Sequence, residues 1–210
     1  MKITLNDIGK KFNRQWVFKG INFVLESNSS CALIGNNGSG KSTLLQIIDN
    51  YQTFSKGSIL YEWKDTHLEE ENLVGKISLA APYLELLDDF SLLEMMRFHF
   101  AIMPLQNGIS FEEMIAGCGL SGQENKLIKY FSSGMKQRLK LVLAIYADTP
   151  LLLLDEPCSN LDDQGIQWYR DLVRSQLGKR TIVIASNQLF EYDFCEKSLS
   201  ILEFKPVKVS

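Results

Sequence analysis

No stretch of this chain is apolar for long enough to cross a bilayer. The longest uninterrupted apolar run, Leu141–Ala147, stops at Asp148, far short of the roughly 18 residues that a span needs. The opening residues MKITLNDIGKKF alternate polar and apolar like a strand, and they lack the apolar stretch and small-residue cleavage site of an export signal. Clustered cysteines are missing too. Cys31, Cys118, Cys158 and Cys195 are widely scattered, no CxxC occurs, and no Cys/His group has metal spacing. Free thiols in a reducing cytoplasm are the expectation. There is no basic excess either: 22 Lys and Arg against 25 Asp and Glu leave a formal charge of −3. That balance counts against a general affinity for nucleic acid. Internal repeats and low-complexity tracts are likewise absent.

What the chain does have is core. Its 210 residues are 45% hydrophobic, enough for one large domain. Residues 2–25 read as strands with turns, because Ile3 and Leu5 alternate with Lys2 and Thr4. Cys31–Ile34 is a short apolar run ended by glycine, as in a strand covered on both faces. From Lys41 to Asp49 the period turns helical, with Leu44, Leu45 and Ile48 on one face. Residues 57–61, 76–80, 151–154 and 180–186 read as further strands, and 198–204 as a last one. Residues 165–176 read as helix, and about 88–147 as a helical insertion punctuated by Pro104, Gly108 and Gly117–Gly119. Strands alternating with helices around glycine turns predict an α/β fold with a mainly parallel core.

Between the strand at 31–34 and the helix at 41 lies Gly35-Asn36-Asn37-Gly38-Ser39-Gly40-Lys41-Ser42, a full G-x-x-x-x-G-K-[ST] match in its proper context. Glycines let such a backbone bend into a ring whose N–H groups point at phosphate oxygens. The helix start beyond, with Thr43, adds unpaired donors and the positive end of the dipole. In this pattern Lys41 places a point charge on the β- and γ-phosphates, and Ser42 offers its hydroxyl to Mg²⁺. The loop alone leaves ATPase, kinase and GTPase open.

The apolar strand Leu151–Leu154 runs into Asp155-Glu156-Pro157. Adjacent side chains on a strand point apart, so one acid is free to serve a metal and the other to face an attacking water. Asp155 is the expected metal residue and Glu156 the expected general base. Ser132-Ser133-Gly134 opens the helix that follows, either as a plain N-cap or as an anion site.

Taken in order, the phosphate loop, helical insertion, Phe131-Ser132-Ser133-Gly134-Met135 with Gln137-Arg138, Asp155-Glu156-Pro157 and Ser159-Asn160-Leu161-Asp162 resemble the nucleotide-binding domain of ABC ATPases. The resemblance covers nearly the whole chain. It implies a P-loop NTPase core with a mainly parallel sheet, an antiparallel β subdomain and a helical insertion, all within one domain spanning 1–210. It implies ATP with Mg²⁺ and a head-to-tail dimer in which Ser132 and Gly134 act on the partner's γ-phosphate. Phe12 falls where the family stacks an aromatic on adenine, with Trp16 as a nearby competitor. The implied role is the ATP-binding and ATP-hydrolysing engine of a transporter, on the inner face of the cell membrane. Its partners would be a second ABC ATPase subunit, identical or not, and integral membrane subunits docking near residues 82–100. Leu84, Leu86, Leu87, Phe90 and Leu92 line that stretch, and most are expected to fill the chain's own core. The alternative is a soluble ABC protein that acts as an ATP-dependent dimerising switch or remodels another assembly.

Two positions depart from the family pattern. Ala81 stands where the family has a Gln that contacts Mg²⁺ and the lytic water. Asn187 stands where it has a His at the γ-phosphate. Asn hydrogen-bonds a phosphate but carries no positive charge. Normal ATP binding with slow hydrolysis is therefore expected.

Overall fold

Two sheets of opposite character share the strands of this protein, whose computed structural model describes residues 1–206. In chain order the elements begin with β1 (Lys2–Phe12), β2 (Gln15–Leu25), β3 (Ser30–Ile34), α1 (Lys41–Ile48), β4 (Lys56–Trp63), β5 (Thr66–Leu68) and β6 (Ile77–Ala80). They continue with α2 (Leu92–Ile102), α3 (Phe111–Gly117), α4 (Ser133–Tyr146), β7 (Leu151–Asp155), α5 (Asp163–Arg174), β8 (Thr181–Ser186) and β9 (Lys197–Ser200).

The first sheet is antiparallel, in the order β2-β1-β4-β5. Its inner face carries Ile3, Leu5, Ile21 and Tyr61, packed with Leu33, Leu44 and Ile48 from the second layer. The second sheet is parallel throughout, in the order β6-β7-β8-β3-β9. Strands β7 and β8 are buried along their whole length, which is why they read as apolar runs rather than alternations. A separate cluster of Leu92, Met96, Met114, Ile128, Leu139 and Val142 forms the core of the helical region. Both α2 and α3 start at a capping box, Ser91 with Glu94 and Ser110 with Glu113. The S-x-x-E spacing satisfies helix-end donors reciprocally.

One expectation shifts. The last strand does not reach 204: β9 pairs with β3 only from Lys197 to Ser200, and residues 201–204 wind into a 3₁₀ turn that buries Ile201. β5, a three-residue edge strand, has no readable pattern of its own. In the 82–100 stretch Leu92 is buried, and Leu86 and Phe90 pack on the helical cluster, but Leu84 and Leu87 are exposed.

Register positions the site. Ala80 lies opposite Leu154, Asp155 opposite Ala185, and Ser186 opposite Ile34. The chain therefore leaves four neighbouring parallel strands at one edge, and residues 35, 81, 156 and 187 emerge side by side. Open α/β sheets bind ligands at this carboxyl edge.

Candidate functional site

The loop after β3 closes on itself. Ser39 N–H donates to Asn36 O at 3.0 Å, and Lys41 Nζ donates to Gly35 O at 2.8 Å and Asn36 O at 3.2 Å. Gly40 sits at φ 106°, and a Cβ there would lie 2.6 Å from Val17 Cγ1. Only glycine lets the loop turn into α1 while β2 presses on it. The same contact brings the β1–β2 hairpin, whose tip carries Phe12, against the phosphate loop. Phe12 is 49% exposed, with Lys10 Nζ 4.8 Å from its ring centre; Trp16 is half-buried beside Gly9.

Asp155 ends β7 at 2% exposure, and its Oδ1 has no hydrogen-bond partner. Burial pushes its pKa up to about 6, and nearby Glu156 adds to the rise. The Ser42 hydroxyl and Lys41 pull in the other direction. Ser39 Oγ is a second buried oxygen without a partner. Orphaned buried polar atoms call for an explanation. A carboxylate facing a serine hydroxyl is an all-oxygen pair of the kind that holds one side of Mg²⁺. The donor set fits that ion.

Glu156 adopts φ 43°, rare for a residue with a Cβ. Its N–H donates to Ala185 O at 2.9 Å, and its carbonyl accepts from Ser159 N–H at 3.1 Å. The bent backbone turns the chain out of the sheet directly after Asp155, and such outliers collect at functional sites. Asn187 follows β8, and its Nδ2 donates to Asn37 Oδ1 at 2.9 Å. A link across 150 residues thus ties the loop after β8 to the phosphate loop. Ala81 is fully buried, and Lys140 Nζ donates to the carbonyls of Ala81 and Pro82 at 3.3 and 3.0 Å.

Ser132 caps α4, its hydroxyl accepting from Met135 N–H at 3.2 Å. Gly134 abuts the segment after Pro157, where a Cβ would stand 2.9 Å from Asn160 O. Two ties there escaped the sequence reading. Gln137 Nε2 donates to Pro157 O at 2.7 Å, and Arg138 pairs with Asp162 at 2.7 Å while bonding Cys118 O at 3.0 Å. Glu191 escaped it as well. This buried acid accepts from Cys158 N–H at 2.8 Å and from the Ser186 hydroxyl. Its only sequence signal is a lone acid among Leu189, Phe190 and Tyr192.

Comparison with known proteins places this geometry. A family profile described as ABC transporter matches residues 18–159. The lantibiotic transport ATP-binding protein SrtF of Streptococcus pyogenes is 28% identical over 91% of this chain and 82% of its own length. The cytochrome c biogenesis ATP-binding export protein CcmA of Agrobacterium fabrum is 29% identical over 89% of this chain and 88% of its own. Among solved structures, a putative ABC transporter ATP-binding protein from Pyrococcus furiosus superposes with TM-score 0.81 at 18% identity, covering 98% of this chain and 100% of that one. The dimeric structure of a bacterial ABC transporter cassette gives TM-score 0.78 at 21% identity, covering 95% of this chain and 94% of that one. At those identities the structures speak for the fold.

Proposed function

The chain belongs to the ABC transporter family, and from that premise we propose that it is the ATP-hydrolysing subunit that powers a transporter through separate membrane subunits. The observation that carries the reading is the shared strand edge, where Lys41 and Ser42 of the phosphate loop act on the buried carboxyl of Asp155, whose Oδ1 has no hydrogen-bond partner. Residues 35–43 hold the triphosphate, with Lys41 moving from its carbonyls in the loop onto the β- and γ-phosphates. Ser42 and Asp155 hold Mg²⁺, which when bound neutralises phosphate charge. Glu156, turned out of the sheet, accepts the proton of the attacking water. Asn187 donates to the γ-phosphate in place of its bond to Asn37. Phe12 stacks on the adenine.

Ser132 and Gly134 complete the site of a second copy or sister subunit. Residues 88–147 act as the unit that carries them, and the stretch 82–100 meets the membrane subunits. Exposed Leu84, Leu87 and Phe98 supply the apolar contact surface there. The chain works on the inner face of the cell membrane. Hydrolysis is slow, because Ala81 and Asn187 lack the functional groups expected at their positions.

Phosphate release by the purified chain, measured beside ATP titration with Mg²⁺, tests this. Glu156→Gln should bind ATP as wild type does and release no phosphate. A Glu156→Gln variant with wild-type turnover sinks the assignment of the base. Wild-type turnover as fast as a typical transporter ATPase sinks the slow site.

A further inference from the structure

We propose that Glu191 is a positioning residue for hydrolysis, a buried clamp that fixes the turn after Glu156 to the turn that carries Asn187. The inference rests on the reading of Glu156 as the base and Asn187 as a γ-phosphate contact.

The parallel ladder between β7 and β8 ends at Asp155 and Ala185, with a last backbone bond from Glu156 N–H to Ala185 O. Beyond that edge no further ladder pairs residues 157–160 with 187–190. The Glu191 side chain carries the connection onward. One oxygen accepts from Cys158 N–H at 2.8 Å, two residues past Glu156. The other accepts from the hydroxyl of Ser186, the residue before Asn187. The Ser186 hydroxyl in turn accepts from Gln188 N–H at 2.8 Å, so the Asn187 turn is gripped on both sides. The clamp itself is anchored from below, because the hydroxyl of Tyr169, a fully buried residue of α5, donates to Glu191 O at 2.9 Å.

The chemistry argues against simple space filling. Glu191 is only 3% exposed, and a buried carboxylate is costly unless its oxygens are bonded. An apolar side chain would fill the same volume without that cost. Here both oxygens are spent on residues flanking the two candidate catalytic groups. A shift of the 157–162 segment is thereby carried to Asn187, and the distance between base and γ-phosphate contact stays fixed. Misplacement of reacting groups by about 1 Å costs on the order of 10²-fold in rate, so such a clamp has a measurable share of turnover.

The test is steady-state phosphate release with ATP affinity and melting temperature measured in parallel. Glu191→Gln keeps an acceptor for Cys158 N–H but presents an N–H to Ser186. It should lower kcat about tenfold or more while ATP affinity stays within about twofold and the melting temperature holds. Ser186→Ala, which cuts the other half of the clamp, should lower kcat similarly. The double variant should lose little beyond either single one, because both break the same connection. Wild-type kcat in Glu191→Gln overturns the proposal. So do losses that multiply independently in the double variant, or a kcat that falls only in step with affinity and melting temperature. A wild-type chain that binds ATP but releases no phosphate overturns the hydrolysis reading itself, and the role given to Glu191 falls with it.

Discussion

Asp155 bears an electrostatic load set by its burial. Its folded pKa is about 6, against an ordinary 3.8, chiefly through burial. As pH rises through the interval between those values, the unfolded chain gives up its proton first and the folded chain loses stability. Well below pH 4, at about pH 3, both states hold the proton and the burden all but vanishes. Asp155→Asn should therefore stabilise the nucleotide-free chain at pH 8 by roughly 3 kcal/mol and leave its stability nearly unchanged at about pH 3. Denaturant titrations at the two pH values check this. The same variant should lose Mg²⁺-dependent ATP binding, since it gives up a carboxylate where the ion is proposed to sit. Asn187 bears the opposite kind of deficit. It reaches Asn37 at 2.9 Å but brings no charge. Asn187→His should raise kcat by about tenfold with little change in KM, read by single-turnover phosphate release. An unchanged kcat would place the slow step elsewhere, with Ala81 the next residue to examine.

At the scale of elements, the first turns of α4 are bound to the segment after Pro157 by contacts that leave no spare room. Gly134 stands so close to Asn160 O that a methyl would sit 2.9 Å from it. Gln137 and Arg138 hold Pro157 and Asp162 from the same helix. Gly134→Ala should displace that segment, lower kcat about tenfold or more, and leave ATP binding by the single chain intact. Equilibrium binding beside steady-state turnover separates the two effects. Gln137→Ala strips the partner from the buried Pro157 carbonyl and should cost about 1–3 kcal/mol in folding stability. These contacts also mark where sequence reading stops. Strand β3, its loop and α1 were legible because glycine, lysine and periodicity act within ten residues of one another. The buried strands β7 and β8 were legible because their apolar runs need covering on both faces. Glu191, by contrast, meets Cys158 across 33 positions, and nothing in its neighbourhood announces burial. β9 was read too long because its end is set by how far β3 extends beside it, not by its own residues. Leu86, Phe90 and Leu92 pack inside, as expected of most of the 82–100 stretch, while Leu84 and Leu87 stay exposed, because apolar character alone does not tell core from surface.

At the scale of the whole molecule, the proposed chemistry is divided between two groups of residues. The phosphate loop, Asp155 and Glu156 gather at the carboxyl edge of the parallel sheet, while the contacts of Ser132 and Gly134 are with α4 itself and with Asn160. In the proposed dimer, a second chain turned head to tail would bring its own serine and glycine to the first chain's nucleotide, and the relation would be reciprocal. ATP would then be buried between subunits and would stabilise the pair by mass action. Glu156→Gln, which holds ATP uncleaved, should double its mass in light scattering when ATP and Mg²⁺ are added, and return to a single chain when the metal is chelated. A chain that binds ATP under those conditions and stays single would mean that its partner is a different ATPase. Mixing with candidate sister subunits then becomes the assay, because only the correct pair should show nucleotide-dependent association. The net charge of −3 is too small to keep two such chains apart at physiological salt, where screening falls off over about 8 Å. Failure to pair would therefore be a matter of surface fit and not of repulsion.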